Sequence, residues 1–190
     1  IEYAPNIWHL NNADIIHIDS LPADINKTYQ PEVEVVGEIT DSLDRIISKA
    51  ARLLEPTYAL KIREKMVAEH EQYRNDTSFP MKPQKVLIDA REVMGPDDIV
   101  ITDVGANKVW TPRHYNCYKP NTCIISNGFA TMGIAVPGAI AANLVHPDRK
   151  VLAITGDAGF LMNCQEFETA HRLGSHFVTL IFNDSSYGLI

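Results

Sequence analysis

The chain has 190 residues, of which 45% are hydrophobic, so it can bury a core and hold one domain with part of another. Its formal net charge of −7 and the lack of a basic stripe exclude nucleic acid as the expected partner. No apolar run has the length of a membrane span and no signal peptide opens the sequence, so no membrane partner is expected. The cysteines, Cys117, Cys123 and Cys164, lack zinc-type spacing, so we expect them to be reduced and the protein to be cytoplasmic.

The first 54 residues predict a short α/β segment. Apolar runs at 14–19 and 33–37 predict strands, and residues 21–25 between them are typical of a turn. A helix is expected next, with Asp41 as its N-cap. The apolar face of this helix is predicted to contain Leu43, Ile46, Ile47, Ala50 and Leu54. Two strands are too few for an independent sheet.

Residues 55–81 are charged and predict a helical connection. The run 60–73 has helical spacing with many Lys, Arg and Glu residues, which is typical of a solvated face. Nothing in this segment indicates chemistry.

From residue 82 onward, helices alternate with strands. The strands are expected around residues 99–101, 122–125, 152–154 and 178–181. A helix is predicted over 161–173, with Gly174 as its stop signal. This alternation predicts an α/β fold with a doubly wound parallel sheet.

Polar clusters follow two of these strands. Gly156-Asp157-Ala158 comes after the apolar run 151–155, and Asn183-Asp184-Ser185-Ser186 comes after the run 177–182. Parallel strands place both clusters at the edge of the sheet where open α/β folds bind ligands. The clusters therefore predict a metal-diphosphate site.

Hard oxygen ligands in the clusters suit Mg²⁺, and calcium could substitute. Asp157 and Asp184 offer carboxylates, and the main-chain oxygen near Ser186 can supply a third ligand. A diphosphate would fill most of the remaining positions. Ala158 and Gly159 are small residues that would open the next helix and leave its first amides free for a phosphate.

Each feature also has a plainer interpretation when it is taken alone. Asp157 between a strand and a helix would be an N-cap, and residues 183–188 would be an ordinary turn. Met132 alone would be a core residue. The occurrence of several such segments in one order favours the functional interpretation.

The sequence resembles thiamin-diphosphate-dependent enzymes of the acetolactate synthase type. The two clusters are similar to the signature of that family, a Gly-Asp-Gly that ends in Asn-Asn, with Ala158 replacing the last glycine and Asp184 the second asparagine. Both variants occur among acetolactate synthase relatives. Residues 126–142, which we call the pyrimidine segment, resemble the segment that holds the aminopyrimidine ring, and residues 165–170 resemble the intervening helix.

The resemblance implies a set of ligand contacts. Asp157, Asp184 and the main-chain oxygen of Ser186 would hold Mg²⁺, and Met132 would be the wedge that bends the cofactor. The main chain of Ala130 and Met132 would bond the pyrimidine ring, while residues 103–107 would form the far side of the diphosphate pocket. The candidate cofactor-binding residues are Ala106, Asn107, Ala130, Met132, Gly156, Asp157, Ala158, Gly159, Asp184 and Gly188.

The resemblance also implies that this chain is a fragment of a longer enzyme. Residues 1–54 would be the C-terminal part of a central domain, 55–81 the connection, and 82–190 a truncated thiamin-diphosphate-binding domain. No catalytic residue is expected within the chain, because the activating glutamate of such enzymes comes from an N-terminal domain, usually of a second subunit. The 190-residue chain alone is therefore expected to be inactive.

For the parent enzyme, the resemblance implies decarboxylation of a 2-keto acid, with pyruvate the expected one, and transfer of the two-carbon unit to a second keto acid. Its cofactors would be thiamin diphosphate and Mg²⁺, with FAD a further candidate on the central domain. It would be a homodimer or homotetramer.

A different class of function is a non-catalytic cofactor- or nucleotide-binding module that regulates a partner. Residues 128–133 have the glycine spacing of a P-loop, yet Ile134 and Ala135 replace the Lys and the Ser or Thr that contact phosphate and magnesium. The sequence also lacks a Gly-x-Gly-x-x-Gly dinucleotide motif. Neither nucleotide motif is complete.

Overall fold

The computed structural model describes residues 14–24, 30–50 and 57–189. Its elements are β1 (Ile16–Asp19), β2 (Val33–Val36), α1 (Ile39–Lys49), α2 (Thr57–Arg74), α3 (Pro83–Val93), β3 (Ile99–Thr102), α4 (Ala106–His114), β4 (Cys123–Ile125), α5 (Ala135–Val145), β5 (Val151–Gly156), α6 (Asp157–Asn163), α7 (Glu166–Leu173) and β6 (Val178–Phe182). They fall into two compact units, residues 1–57 and 58–190. Across the described ranges, no helix combines the length and apolar character needed to cross a membrane.

The first unit contains a two-stranded parallel sheet and one helix. β1 pairs with β2, with Ile16 opposite Val33. The N-cap of α1 is Glu38, so the prediction of Asp41 as the cap is wrong. Asp41 lies within the first turn, where its charge meets the positive end of the helix dipole.

The predicted apolar face of α1 is not buried within this unit. Leu43, Ile46 and Ile47 are all exposed, and Ala50 is the C-cap, with its N–H donating to the Ile46 carbonyl at 2.8 Å. Leu54, the last predicted member of this face, lies outside the described residues.

The predicted helical connection forms α2, which begins the second unit and has no buried residue. Its C-terminal half contacts α4 through polar groups. The Arg113 guanidinium donates to both carboxylate oxygens of Glu69, at 3.1 and 2.8 Å, and it holds the pKa of this carboxyl below its usual value. The rings of His70 and Tyr73 lie 5.6 and 5.9 Å from the ring of His114.

The second unit is built on a four-stranded parallel sheet with the order β4-β3-β5-β6. Successive side chains of a strand point to opposite faces, and both faces of this sheet are covered. On one face, Ile101 belongs to a buried cluster with Ala135 and Ala139 of α5. On the other face, Val100 packs with Leu87 of α3 and with Tyr115. The prediction of a doubly wound parallel sheet is confirmed.

The helix predicted over 161–173 is two helices in the structure, so this prediction is wrong in its start and continuity. α6 begins at Asp157, and the chain then passes through Cys164 and Gln165 into α7. At this junction the amides of Phe167 and Glu168 donate to carbonyls three residues earlier, which tightens the backbone and separates the helices. Gly174 ends α7 with a left-handed φ of +63°, as predicted.

All three cysteines are free thiols in the structure. Cys123 lies on β4 and is half-buried, and the loss of solvent raises the pKa of its thiol to about 12. It therefore stays protonated at neutral pH and is a poor nucleophile.

Candidate functional site

The loops that follow the four parallel strands meet at one edge of the sheet, which we call the carboxyl edge. Asp103 follows β3, and the pyrimidine segment begins directly after β4. Asp157 follows β5, and Asn183 follows β6. Because β5 pairs with both β3 and β6, the clusters after these three strands lie next to one another.

A cleft of about 500 Å³ opens at the carboxyl edge. Ten of the predicted site residues line it, namely Ala106, Asn107, Met132, Gly156, Asp157, Ala158, Gly159, Asp184, Ser186 and Gly188. Ala130 does not line the cleft; it is half-buried, with a φ of +50° that residues other than glycine rarely adopt. Tertiary structure thus gathers segments that lie far apart in the sequence.

The two carboxylates of the cleft are connected through the turn after β6. Asp157 Oδ2 accepts a hydrogen bond from the Ser185 amide at 2.8 Å, and Asp184 Oδ1 accepts one from the Ser186 amide at 3.1 Å. Gly156 is the N-cap of α6, and Asp157 is its first helical residue. The interpretation of Asp157 as an ordinary N-cap is therefore wrong.

The amides at the start of α6 are less available than the sequence predicts. The Ala158 amide donates to Asp157 Oδ1 at 2.7 Å, so it is not free in this structure. Gly159 is buried, and a Cβ atom there would lie 2.9 Å from Thr155 Oγ1 and 3.2 Å from Asp103 Cγ. Glycine is thus needed at this position for close packing beneath the cleft.

The donor set of the cleft fits a magnesium-diphosphate and not a metal held by protein side chains alone. Residues 14–24, 30–50 and 57–189 contain no group of three or more His, Cys, Asp or Glu side chains that could hold a metal. Asp157 and Asp184 are two hard oxygen ligands, and a main-chain oxygen such as that of Ser186 would be a third. A cation that drew the Asp157 carboxylate towards itself would also release the Ala158 amide.

The cleft contains a cationic residue, Lys108, that the sequence analysis did not predict. Lys108 lies in the first turn of α4 and is the only Lys or Arg that lines the cleft among the residues described. Its ammonium forms no salt bridge within residues 57–189. The signal was available in the sequence, because Lys108 follows the strand 99–101 closely and so belongs to the same edge.

Part of the cleft wall is aromatic. Trp110 of α4 and Phe182 of β6 both line the cleft, and their rings meet edge to face with centroids 5.5 Å apart. Tyr187 and Leu189 also line it. The cleft therefore combines apolar walls with a few convergent polar groups, which is the usual composition of a small-molecule site.

Asp103 lies beneath the cleft and not on its wall. Its side chain is only 1% exposed, and the carboxylate accepts hydrogen bonds from the amides of Val104, Gly133 and Ala135 at 2.7, 2.8 and 3.2 Å. The Thr155 hydroxyl lies 3.3 Å from Asp103 Oδ2 and 3.0 Å from the Gly156 carbonyl, so these two acceptors share its single proton. Asp103 thus connects β3 and β5 to the pyrimidine segment.

Asn107 is also held from below. Its side-chain amide donates to Thr102 Oγ1 at 3.0 Å and to the Asp103 carbonyl at 2.8 Å. Both side-chain N–H groups of Asn107 therefore bind the end of β3. Only the main-chain N–H of Asn107 would then be available to a phosphate.

The family model for the thiamine pyrophosphate enzyme C-terminal TPP-binding domain matches residues 103–190. The whole chain is 36% identical to an acetolactate synthase of Bacillus subtilis, covering 34% of that protein, and 32% identical to a catabolic acetolactate synthase of Raoultella terrigena, covering 35%. It is also 35% identical to the acetolactate synthase large subunit of Corynebacterium glutamicum. That alignment covers 94% of this chain and 29% of the relative. The chain spans about a third of the length of these curated relatives.

The two carboxylates of the cleft can be tested as ligands of a magnesium-diphosphate. We expect Asp157→Ala and Asp184→Ala each to weaken Mg²⁺-dependent binding of inorganic diphosphate by about tenfold or more, since each removes one of two charged ligands. Titration calorimetry with and without Mg²⁺ measures this effect. Asp148→Ala, in the exposed loop before β5 at the opposite edge, is the matched control. Wild-type affinity in either cleft variant would remove that carboxylate from the ligand set.

Proposed function

Because this chain belongs to the thiamine pyrophosphate enzyme family, with residues 103–190 as its TPP-binding domain, we propose that it forms the diphosphate-binding part of an acetolactate synthase-like enzyme. The observation that carries this proposal is the cleft at the carboxyl edge. It brings two carboxylates, one lysine ammonium that forms no ion pair within residues 57–189 and the start of two helices around a single space of about 500 Å³.

We propose specific ligands for the charged end of the cofactor. Asp157, Asp184 and the main-chain oxygen of Ser186 hold Mg²⁺, which offsets the negative charge of the diphosphate. Lys108, in the first turn of α4, adds a positive charge. Amides at Ala106, Asn107, Ala158, Gly159 and Gly188 are the proposed neutral donors, and the starts of α4 and α6 contribute their positive dipole ends.

The remainder of the cleft would orient the cofactor and exclude water from it. When bound, thiamine pyrophosphate supplies an electron sink for bond cleavage next to a carbonyl group. Met132 lines the cleft on the side of the pyrimidine segment, where its side chain would set the position of the ring. The aromatic pair Trp110 and Phe182 forms an apolar wall, which strengthens electrostatic interactions within the site by lowering the local dielectric constant.

For the whole protein we propose decarboxylation of a 2-keto acid, with pyruvate as the proposed substrate. The two-carbon unit that results is transferred to a second keto acid. Support comes from three relatives named acetolactate synthase that match 94 to 100% of this chain. A homodimer or homotetramer, located in the cytoplasm, is part of the same proposal, as is an activating glutamate from another domain. FAD is a candidate ligand outside the described cleft.

Ligand choice separates this function from a regulatory nucleotide-binding module. We expect the protein that contains this chain to bind thiamine pyrophosphate in the presence of Mg²⁺ and to bind it more tightly than NAD or ATP, since the cleft has no complete nucleotide motif. Titration calorimetry with the three ligands under one set of conditions makes the comparison. Tighter binding of NAD or ATP would favour the regulatory module and contradict our proposal.

Lys108 gives a second, electrostatic test. We expect Lys108→Met to weaken binding of Mg²⁺-thiamine pyrophosphate by about 1.5 to 3 kcal/mol, the range for hydrogen bonds to charged groups. Lys108→Arg should retain most of the affinity because it keeps the charge. Lys119→Met, which removes an exposed lysine from the loop before β4, is the control. If Lys108→Met and Lys119→Met bind equally well, the ammonium does not contact the ligand.

Met132 should affect turnover more than it affects metal binding. We expect Met132→Ala to lower kcat of the full-length enzyme by about tenfold or more, because a loosely held ring loses the orientation that catalysis requires. Calorimetry should show nearly unchanged binding of Mg²⁺ and diphosphate. Met66→Ala on the exposed α2 serves as the control for the loss of a methionine side chain. Wild-type turnover at full cofactor occupancy would identify Met132 as a packing residue.

A further inference from the structure

We propose that Asp103 is a positioning residue: its buried carboxylate fixes Gly133 and Ala135 and thereby holds Met132 at the cleft. The inference rests on the proposed function, because the segment that it positions is the one expected to hold the pyrimidine ring. Asp103 itself does not line the cleft and would not touch the cofactor.

The carboxylate of Asp103 is stabilised by neutral donors alone within the described residues. Its side chain is 1% exposed, and no Lys, Arg or His from residues 57–189 forms a salt bridge with it. Burial of an uncompensated charge is costly, so each of its hydrogen bonds is strongly favoured. The backbone groups that supply them are consequently held in place.

Two of these donors come from the pyrimidine segment. The Gly133 amide lies 2.8 Å from Asp103 Oδ1, and the Ala135 amide lies 3.2 Å from Oδ2. Ala135 is the first residue of α5, so the carboxylate also lies at the positive end of an 11-residue helix. Both oxygens of one side chain therefore bind the part of the pyrimidine segment where α5 begins.

Gly133 is held from its other side as well. Its carbonyl accepts a hydrogen bond from Asn163 Nδ2 at 2.8 Å, and its φ of +87° is a conformation that suits glycine. The residue is therefore fixed between β3 and α6. Met132 is its direct neighbour and can reach the cleft only from this fixed position.

The space around Asp103 is matched to a carboxylate. Gly159 leaves no room for a Cβ atom beside Asp103 Cγ, and the Thr155 hydroxyl closes another side. An asparagine would fit the same volume, but its NH₂ group cannot accept a hydrogen bond. Whichever way that amide turned, the N–H of Gly133 or that of Ala135 would face another donor.

The chain offers a matched control at the opposite end of the same strand. Asp98 precedes β3, and its carboxylate also accepts hydrogen bonds from backbone amides, those of Gly95 at 2.6 Å and Lys150 at 3.0 Å. Asp98→Asn thus imposes the same chemical change on the same strand. Asp98 lies far from the carboxyl edge, so a general loss of stability would appear in both variants.

Amide hydrogen exchange tests the positioning without any ligand. In the full-length protein, we expect Asp103→Asn to raise the exchange rates of Gly133 and Ala135 by about tenfold or more, as the loss of a hydrogen bond to a charged group implies. Asp98→Asn should leave these two rates within about twofold of the wild type. Equal exchange at Gly133 and Ala135 in the two variants would overturn the proposal.

Binding of Mg²⁺-thiamine pyrophosphate tests the functional part. We expect Asp103→Asn to raise the dissociation constant by about tenfold and Asp98→Asn to leave it unchanged. In a double-mutant cycle, Asp103→Asn should have a smaller effect when Met132 is already alanine, because it acts through that side chain. Strict additivity, or unchanged affinity, would show that Asp103 does not position Met132.

The proposed function and the role of Asp103 can be contradicted independently of each other. If the wild-type protein does not bind thiamine pyrophosphate, the proposed function is wrong, whereas the exchange experiment still reports on Asp103. If the wild type binds and Asp103→Asn behaves as Asp98→Asn does, only the inference is wrong. Should Asp103→Asn not fold, Thr155→Val removes the hydroxyl that Asp103 Oδ2 shares with the Gly156 carbonyl, and Thr155→Ser keeps it. Weaker cofactor binding and faster Gly133 exchange in the valine variant than in the serine variant would support the proposal, and equal values would overturn it.

Discussion

The hydrogen bonds of the Asp103 carboxylate join the ends of the three strands that carry most of the site. Asp103 follows β3, Thr155 belongs to β5, and Gly133 and Ala135 lie in the segment after β4. One buried side chain therefore connects the loops after β3 and β4 to β5. Since the charge has no cationic partner among the described residues, any displacement of these donors leaves it poorly solvated. The arrangement of the site is thus coupled to the integrity of the sheet.

Unusual backbone conformations occur at the same edge. Of the described residues that have a positive φ, Gly105, Ala130, Gly133 and Ser185 lie in loops that follow strands of this sheet, whereas Asn121 and Gly174 lie in loops that precede strands. Ala130 and Ser185 are not glycines, so their conformations cost energy that the surrounding structure must offset. Hydrogen bonds stabilise these loops. The Ser185 amide donates to Asp157, and Gly133 is held by both Asp103 and Asn163. A cleft shaped in this way is organised before a ligand arrives.

The cleft contains charged groups of both signs. Asp157 and Asp184 would repel a bare diphosphate, whereas Lys108 and two helix starts would attract it. A divalent cation held by Asp157 and Asp184 would offset this repulsion. The Asp157 hydrogen bond to the Ala158 amide shows the alternative partner that the carboxylate takes within the protein alone.

The sequence by itself determined the α/β class, the positions of the four strands of the larger sheet and ten of the residues that line the cleft. Strands such as β5, with its run of β-branched and apolar residues, are apolar because both faces of the sheet are covered, so local pattern was sufficient to find them. Short sequence motifs also indicated the resemblance to the thiamine pyrophosphate family, and the match of the family model to residues 103–190 confirms it.

Only the tertiary structure decided which groups meet. The break between α6 and α7 and the N-cap at Glu38 in place of Asp41 follow local backbone hydrogen bonds that the side-chain pattern does not reveal. The role of Asp103, in contrast, depends on contacts between residues far apart in the sequence. Asp103 and Gly133 are separated by 30 residues in the chain but by 2.8 Å between hydrogen-bonding atoms. The sequence indicates that Lys108 lies at the carboxyl edge, but only the parallel order β4-β3-β5-β6 shows that the start of α4 lies beside the start of α6.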